Sequence, residues 1–139
     1  MNALALPFLR PLAPWTTTIL RIALGLVMAN HGWSKFGNME GTTGFFTSLG
    51  IPAAGLMAWV VTIVELVGGI CVVLGLATRF WTLLMAVVAL VAIVMAKMKD
   101  GLWVANYELE LMVLAASLLF ASRGPGAPSL DAMVGIERD

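Results

Sequence analysis

Charge and cysteine are both scarce in this sequence of 139 residues. Aspartate, glutamate, lysine and arginine together make up 12% of the chain, whereas soluble domains carry roughly 25%. Hydrophobic residues make up 60%, and the mean hydropathy is +0.96. A water-soluble domain of this size could not bury that much apolar surface. We therefore predict one domain, an all-α integral membrane protein that has the lipid bilayer as its surroundings.

The lack of reactive side chains excludes several kinds of chemistry. Cys71 is the only cysteine, so the chain cannot form an internal disulfide or a CxxC redox pair. His31 is the only histidine, so it cannot form a metal site alone, and bis-histidine haem ligation would need a second copy of the chain. We therefore expect no metal and disfavour haem. A net charge of zero without a basic tract argues against nucleic acid as a partner.

Four apolar stretches predict four transmembrane helices in an antiparallel bundle. The bundle covers residues 16–122, and its predicted helices span about 16–36, 52–77, 79–96 and 103–122. Three early prolines predict an interfacial arm without regular helix over 1–15, and 123–139 form a short polar tail. A glycine-rich loop, 37–51, follows the first helix. Both termini should lie on one side, and four cations there against three opposite favour the cytoplasm.

Six ionisable residues stand inside the apolar stretches or at their ends, where an unpaired charge costs several kcal/mol. They are Arg21, His31 and Lys35 in the first predicted helix, Glu65 in the second, and Glu108 and Glu110 in the fourth. At 100° per residue, the three in the first helix fall within an arc of roughly 80°. Because charge is confined to this one stripe, the stripe should face the protein interior.

Estimated depths suggest how these residues are paired. Arg21 and Glu65 both reach towards the middle of the bilayer, so we predict that they form a polar pair, which could be structural. We predict that His31, Lys35 and Glu108 form a candidate working cluster beneath the 37–51 loop. Glu110 is about 200° from Glu108 and should point elsewhere. The alternatives are that Lys35 only extends to the membrane interface and that His31 only joins two helices by a hydrogen bond.

Four segments in order resemble the DoxX family: LRIALGLVMANHGWSKF, VELVGGICVVLGLATR, YELELMVLAASL and GPGAPSLD. The resemblance implies a four-helix protein of the bacterial inner membrane that is linked to redox metabolism, related to the DoxD subunit of a thiosulfate:quinone oxidoreductase. The matching residues are Arg21, Gly25, His31, Gly32, Lys35, Glu65, Gly69, Gly75, Arg79, Tyr107, Glu108, Gly124, Pro125, Gly126, Ser129 and Asp131. We assign structure rather than chemistry to the last five, which end and cap helices.

These observations predict a cavity between the first, second and fourth predicted helices, opening beneath the 37–51 loop. The cavity would hold a quinone or another small redox molecule. His31 or Lys35 would hydrogen-bond its oxygen, and Glu108 would assist proton movement. Alternatively, the chain is a non-enzymatic subunit that recruits a soluble oxidoreductase. A small-solute or proton-coupled transporter ranks last, because inverted repeats and broken helices are lacking. Catalysis by the chain itself and homo-oligomer formation stay open.

Overall fold

A computed structural model describes residues 6–101 and 103–136, and within these ranges the regular structure is entirely helical. The α-helices are α1 (Ala13–Gly37), α2 (Met39–Ser48), α3 (Ala54–Leu74), α4 (Thr78–Val91), α5 (Glu108–Arg123) and α6 (Leu130–Met133). A π-helix, Ala92–Lys97, continues α4. The prediction of an all-α fold is confirmed.

Three helical stretches are long and apolar enough to cross a membrane: Pro7–Gly37, Ala54–Leu74 and Thr78–Lys97. These stretches confirm the prediction of a membrane protein. α5 has 16 residues, so its length is about 24 Å at 1.5 Å per residue, and it packs along α4. The fourth span therefore stays a prediction.

The ends of the predicted segments differ from those in the structure. Pro7–Leu12 form a 3-10 helix and α1 begins at Ala13, although we expected no regular helix before residue 16. Proline is compatible with this arrangement because its missing N–H costs nothing in a first helical turn. Residues 1–5 of the predicted arm and 137–139 of the predicted tail lie outside the described residues. The start of α1 and the chain after α5 meet at one end of the bundle, where the Thr18 hydroxyl donates to the Ala127 carbonyl oxygen.

The predicted 37–51 loop contains a helix, α2. Asn38 begins it by accepting a hydrogen bond from the Gly41 N–H through its side chain, at 3.1 Å. Such a cap satisfies one of the free N–H groups at a helix start. The four glycines of the segment favour a loop, and the cap at Asn38 outweighs them.

Glycines let α1 and α3 pack at backbone distance. A Cβ atom at Gly25 would lie 2.6 Å from the Gly69 carbonyl oxygen, and one at Gly69 would lie 2.5 Å from the Ala29 nitrogen. A Cβ atom at Gly32 would overlap the backbone of Leu66. Small residues permit this kind of approach between membrane helices. The contact fixes the register between the two helices that carry Lys35 and Glu65.

We expect Gly32→Ala to force α1 and α3 apart and to lower the free energy of unfolding by about 2 kcal/mol or more, as overpacking does. The measurement is thermal and denaturant unfolding in detergent, followed by circular dichroism. Gly44→Ala is the matched control, because a Cβ atom there meets nothing within 4 Å. If both variants unfold at the same temperature, the close contact at Gly32 is contradicted.

Candidate functional site: a charged intramembrane cavity

A cavity of about 510 Å³ lies among α1, α2, α3, α4 with its π-helical extension, and α5. Most of its wall consists of Val, Leu, Ile, Met, Ala and Phe side chains. The polar residues of the wall are His31, Lys35, Glu65, Lys97 and Glu110. We predicted a cavity between three helices only; the structure adds α4, which contributes residues such as Leu84 and Val88. In place of an irregular loop, α2 supplies Phe45 and Phe46.

Lys35 and Glu65 form an ion pair across the α1–α3 contact. The Lys35 Nζ lies 2.5 Å from the Glu65 Oε2, and their side chains are 24% and 7% exposed, respectively. Glu65 stands in the middle of a span-length apolar helix, where a carboxylate needs a cation or a proton. Lys35 supplies that cation by extending from near the end of α1 towards the interior.

The predicted pairing of Arg21 with Glu65 is wrong. The Arg21 guanidinium donates instead to backbone carbonyl oxygens after α5, to Pro125 at 2.7 Å and to Pro128 at 2.8 Å. The register of α1 against α3 explains the error. Arg21 lies beside Gly75, where an added Cβ would be 3.2 Å from the Arg21 Cζ. Gly75 is ten residues beyond Glu65 along the chain, or about 15 Å at helical rise.

The chain after α5 is fixed at this same end of the bundle by Asp131. Its carboxylate accepts hydrogen bonds from the Ala77 and Thr78 N–H groups, at 2.7 and 2.9 Å, and so caps the start of α4. The Asp131 N–H donates to the Gly75 carbonyl oxygen at 2.9 Å. Together with Arg21, these bonds form what we call the tail clasp. These contacts agree with the prediction that residues 124–131 serve structure rather than chemistry.

The structure exchanges the expected positions of the two glutamates on α5. Glu110 lines the cavity and lies 3.4 Å from Lys97, whereas Glu108 is exposed and outside the cavity wall. Glu108 is the first residue of α5, and the two side chains point about 200° apart on a helix. Lys97 was missed because its face depends on the π-helix, whose wider turn changes the register after Val91.

His31 lines the cavity one helical turn from Lys35, as the sequence predicted for their spacing. Lys35 pairs with Glu65, and Lys97 with Glu110. His31 is half-buried, and its ring forms no hydrogen bond with the part of the chain that the structure describes. Among the described side chains of the wall, the imidazole is therefore the polar group with neither an ion pair nor a hydrogen bond.

A smaller recess adjoins the cavity under α2. It measures about 280 Å³ and is lined by polar residues that include Ser34, Asn38 and Thr42. Lys35, Phe45 and Phe46 belong to the walls of both spaces. Two aromatic rings and one lysine therefore stand between the mostly apolar cavity and a polar recess at the α2 end of the bundle.

The fold and the site together define a class: a small helical membrane protein that encloses a mostly apolar cavity with paired charges in its wall. The family model of DoxX matches residues 16–98. The chain belongs to the DoxX family, which confirms the resemblance. "Putative oxidoreductase CatD" of Bacillus subtilis is 39% identical over 118 residues, covering 85% of this chain and 86% of that protein.

Two relatives from Escherichia coli carry names that give only their location. "Inner membrane protein YphA" is 34% identical over 125 residues, covering 85% of this chain and 89% of that protein. "Inner membrane protein YqjF" is 27% identical over 118 residues, covering 84% and 89%. No solved structure matches the chain.

We expect Arg21→Lys to loosen the tail clasp, because a lysine cannot bridge the Pro125 and Pro128 carbonyl oxygens as the planar guanidinium does. Loss of one charged hydrogen bond should cost about 1.5–3 kcal/mol in unfolding free energy. Faster proteolysis between residues 124 and 131 in detergent should accompany it. Arg10→Lys, at an exposed residue, is the control. Equal proteolysis of both variants would argue against the clasp.

Proposed function

We propose that this DoxX-family protein is a redox-linked membrane component that binds a small quinone-like molecule in its cavity. One observation carries the proposal. The cavity is mostly apolar, and His31 is the polar side chain of its described wall that has neither an ion pair nor a hydrogen bond. Cavities of this size and composition usually hold small molecules that are oriented by few polar contacts. A ring with ketone or hydroxyl oxygens has that combination of properties.

His31 would orient the ligand by one hydrogen bond to its oxygen. The side chains of Val64, Leu84 and Val88 would contact its apolar part. Proton exchange at the site is assigned to Glu110 rather than to Glu108, because Glu110 faces the cavity beside Lys97. Lys35 and Glu65 would keep the deeper part of the wall free of uncompensated charge.

The link to redox chemistry is supported by the name of one relative, "Putative oxidoreductase CatD". A bacterial inner-membrane location is supported by the names of the two Escherichia coli relatives. Cytoplasmic termini are proposed from the excess of cations at that end, as stated above. A soluble or membrane-bound oxidoreductase would supply or accept the electrons, since Cys71 alone cannot perform dithiol exchange.

We expect wild-type protein purified in detergent to bind decylubiquinone saturably, and His31→Ala to bind it about tenfold more weakly, as loss of a hydrogen bond of about 1.4 kcal/mol implies. Equilibrium dialysis with radiolabelled decylubiquinone measures both affinities. The control is Asn30→Ala, at the preceding and exposed residue of α1.

Two results would contradict the proposed function. One is the absence of saturable binding to the wild type, and the other is equal affinity of wild type and His31→Ala. Co-purification of a fixed soluble partner without any saturable ligand would instead favour the recruiting-subunit alternative. Circular dichroism of each variant verifies that it is folded.

A further inference from the structure

The charges in the cavity wall cancel in pairs. Two lysines and two glutamates line the described wall, and each lysine lies within 4 Å of one glutamate, at 2.5 Å for Lys35–Glu65 and 3.4 Å for Lys97–Glu110. The charges of these two lysines and two glutamates therefore sum to zero. An anion that approached either lysine would therefore also approach a carboxylate.

This balance disfavours anionic ligands for a physical reason. An anion that entered the cavity would lose its hydration among mostly apolar side chains, at a cost of several kcal/mol. Its attraction to Lys35 or Lys97 would be largely offset by repulsion from Glu65 or Glu110, which lie against these lysines. If it displaced either glutamate, a carboxylate would be left unpaired beside a second negative charge. An uncharged ligand has to break neither pair.

We propose that the cavity selects uncharged ligands and rejects anionic ones, sulfur oxyanions and acidic quinones included. The inference rests on the proposed function, because it concerns the ligand of that same site. An uncharged quinone would enter the cavity, whereas an anionic redox partner of that quinone would have to react outside it.

His31 suits both uncharged forms of such a ligand. A neutral imidazole carries one N–H donor and one nitrogen acceptor. It can donate to a ketone oxygen or accept from a hydroxyl group, so it can hold the ring before and after reduction. Selection then depends on the charge of the ligand, not on its oxidation state.

Removal of one carboxylate charge should weaken the selection. In Glu65→Gln, Lys35 loses its anionic partner and becomes a buried cation that an anion can pair with. In Glu110→Gln, Lys97 is released in the same way, but with less effect, because Lys97 is 44% exposed and partly screened by solvent. Glu108→Gln removes the same charge two residues from Glu110, outside the cavity wall, and is the matched control.

The experiment compares two probes that share one ring system, uncharged anthraquinone and anthraquinone sulfonate, by equilibrium dialysis with purified protein in detergent. We expect wild type and Glu108→Gln to bind the sulfonate at least about tenfold more weakly than anthraquinone, a difference of 1.4 kcal/mol or more. Glu65→Gln should lose most of this preference, and Glu110→Gln part of it. Thiosulfate should fail to compete with anthraquinone on the wild type.

The outcomes separate this inference from the proposed function. Equal binding of both probes by the wild type overturns the charge selection and leaves a quinone-like site in place. Binding of neither probe contradicts the proposed function, and this inference with it. Unchanged preference in both Glu65→Gln and Glu110→Gln shows that the ion pairs do not set the selection. If Glu65→Gln fails to fold, Glu110→Gln decides the question, since its carboxylate is nearer the surface.

Discussion

The backbone contact between α1 and α3 is the constraint on which the rest of the structure depends. Gly25, Gly32 and Gly69 bring the two helices so close that added Cβ atoms would strike the facing backbone. A shift of one helix along the other would bring a side chain to a position where only glycine fits, so these contacts fix the register. The resulting register places Lys35 against Glu65. It places Arg21 nearer the opposite end of the bundle, beside Gly75.

That register determines which charged side chains pair. In apolar surroundings, an unpaired charge would cost several kcal/mol. A carboxylate at Glu65 without a cation would be costly in hydrocarbon, so the ion pair and the helix contact stabilise each other. Buried polar pairs are known to specify helix register in other systems. The same requirement holds for Glu110, which has Lys97 beside it. Because both wall carboxylates have a lysine beside them, His31 is the polar side chain of the described wall that has neither an ion pair nor a hydrogen bond.

The sequence was sufficient for the membrane class, the helical fold and the polar face of α1, because these follow from hydropathy and a period of 3.6 residues. It was insufficient for the pairing of charges. Arg21 was matched with Glu65 by depth alone, and the carbonyl oxygens of Pro125 and Pro128 were not considered, since backbone acceptors carry no sequence signal. The face of Lys97 could not be derived because Lys97 is the last residue of a π-helix. On α5, the 200° separation predicts that one glutamate faces outward. Which of the two it is depends on where the helix begins, and the sequence does not give that position.

The residues that match the family pattern form two groups, one at each end of the bundle. At the end where α1 begins, Arg21 and Asp131 form hydrogen bonds with backbone groups in the tail clasp, at Pro125, Pro128, Ala77 and Thr78. These bonds hold the fold together, and neither residue lines the cavity. At the α2 end, His31, Lys35 and Glu65 line open space. The family pattern in this chain therefore includes residues that stabilise the fold and residues that line the cavity. The clasp holds α4 in place against α1 and α3, and only with α4 in place does the wall around His31 exist.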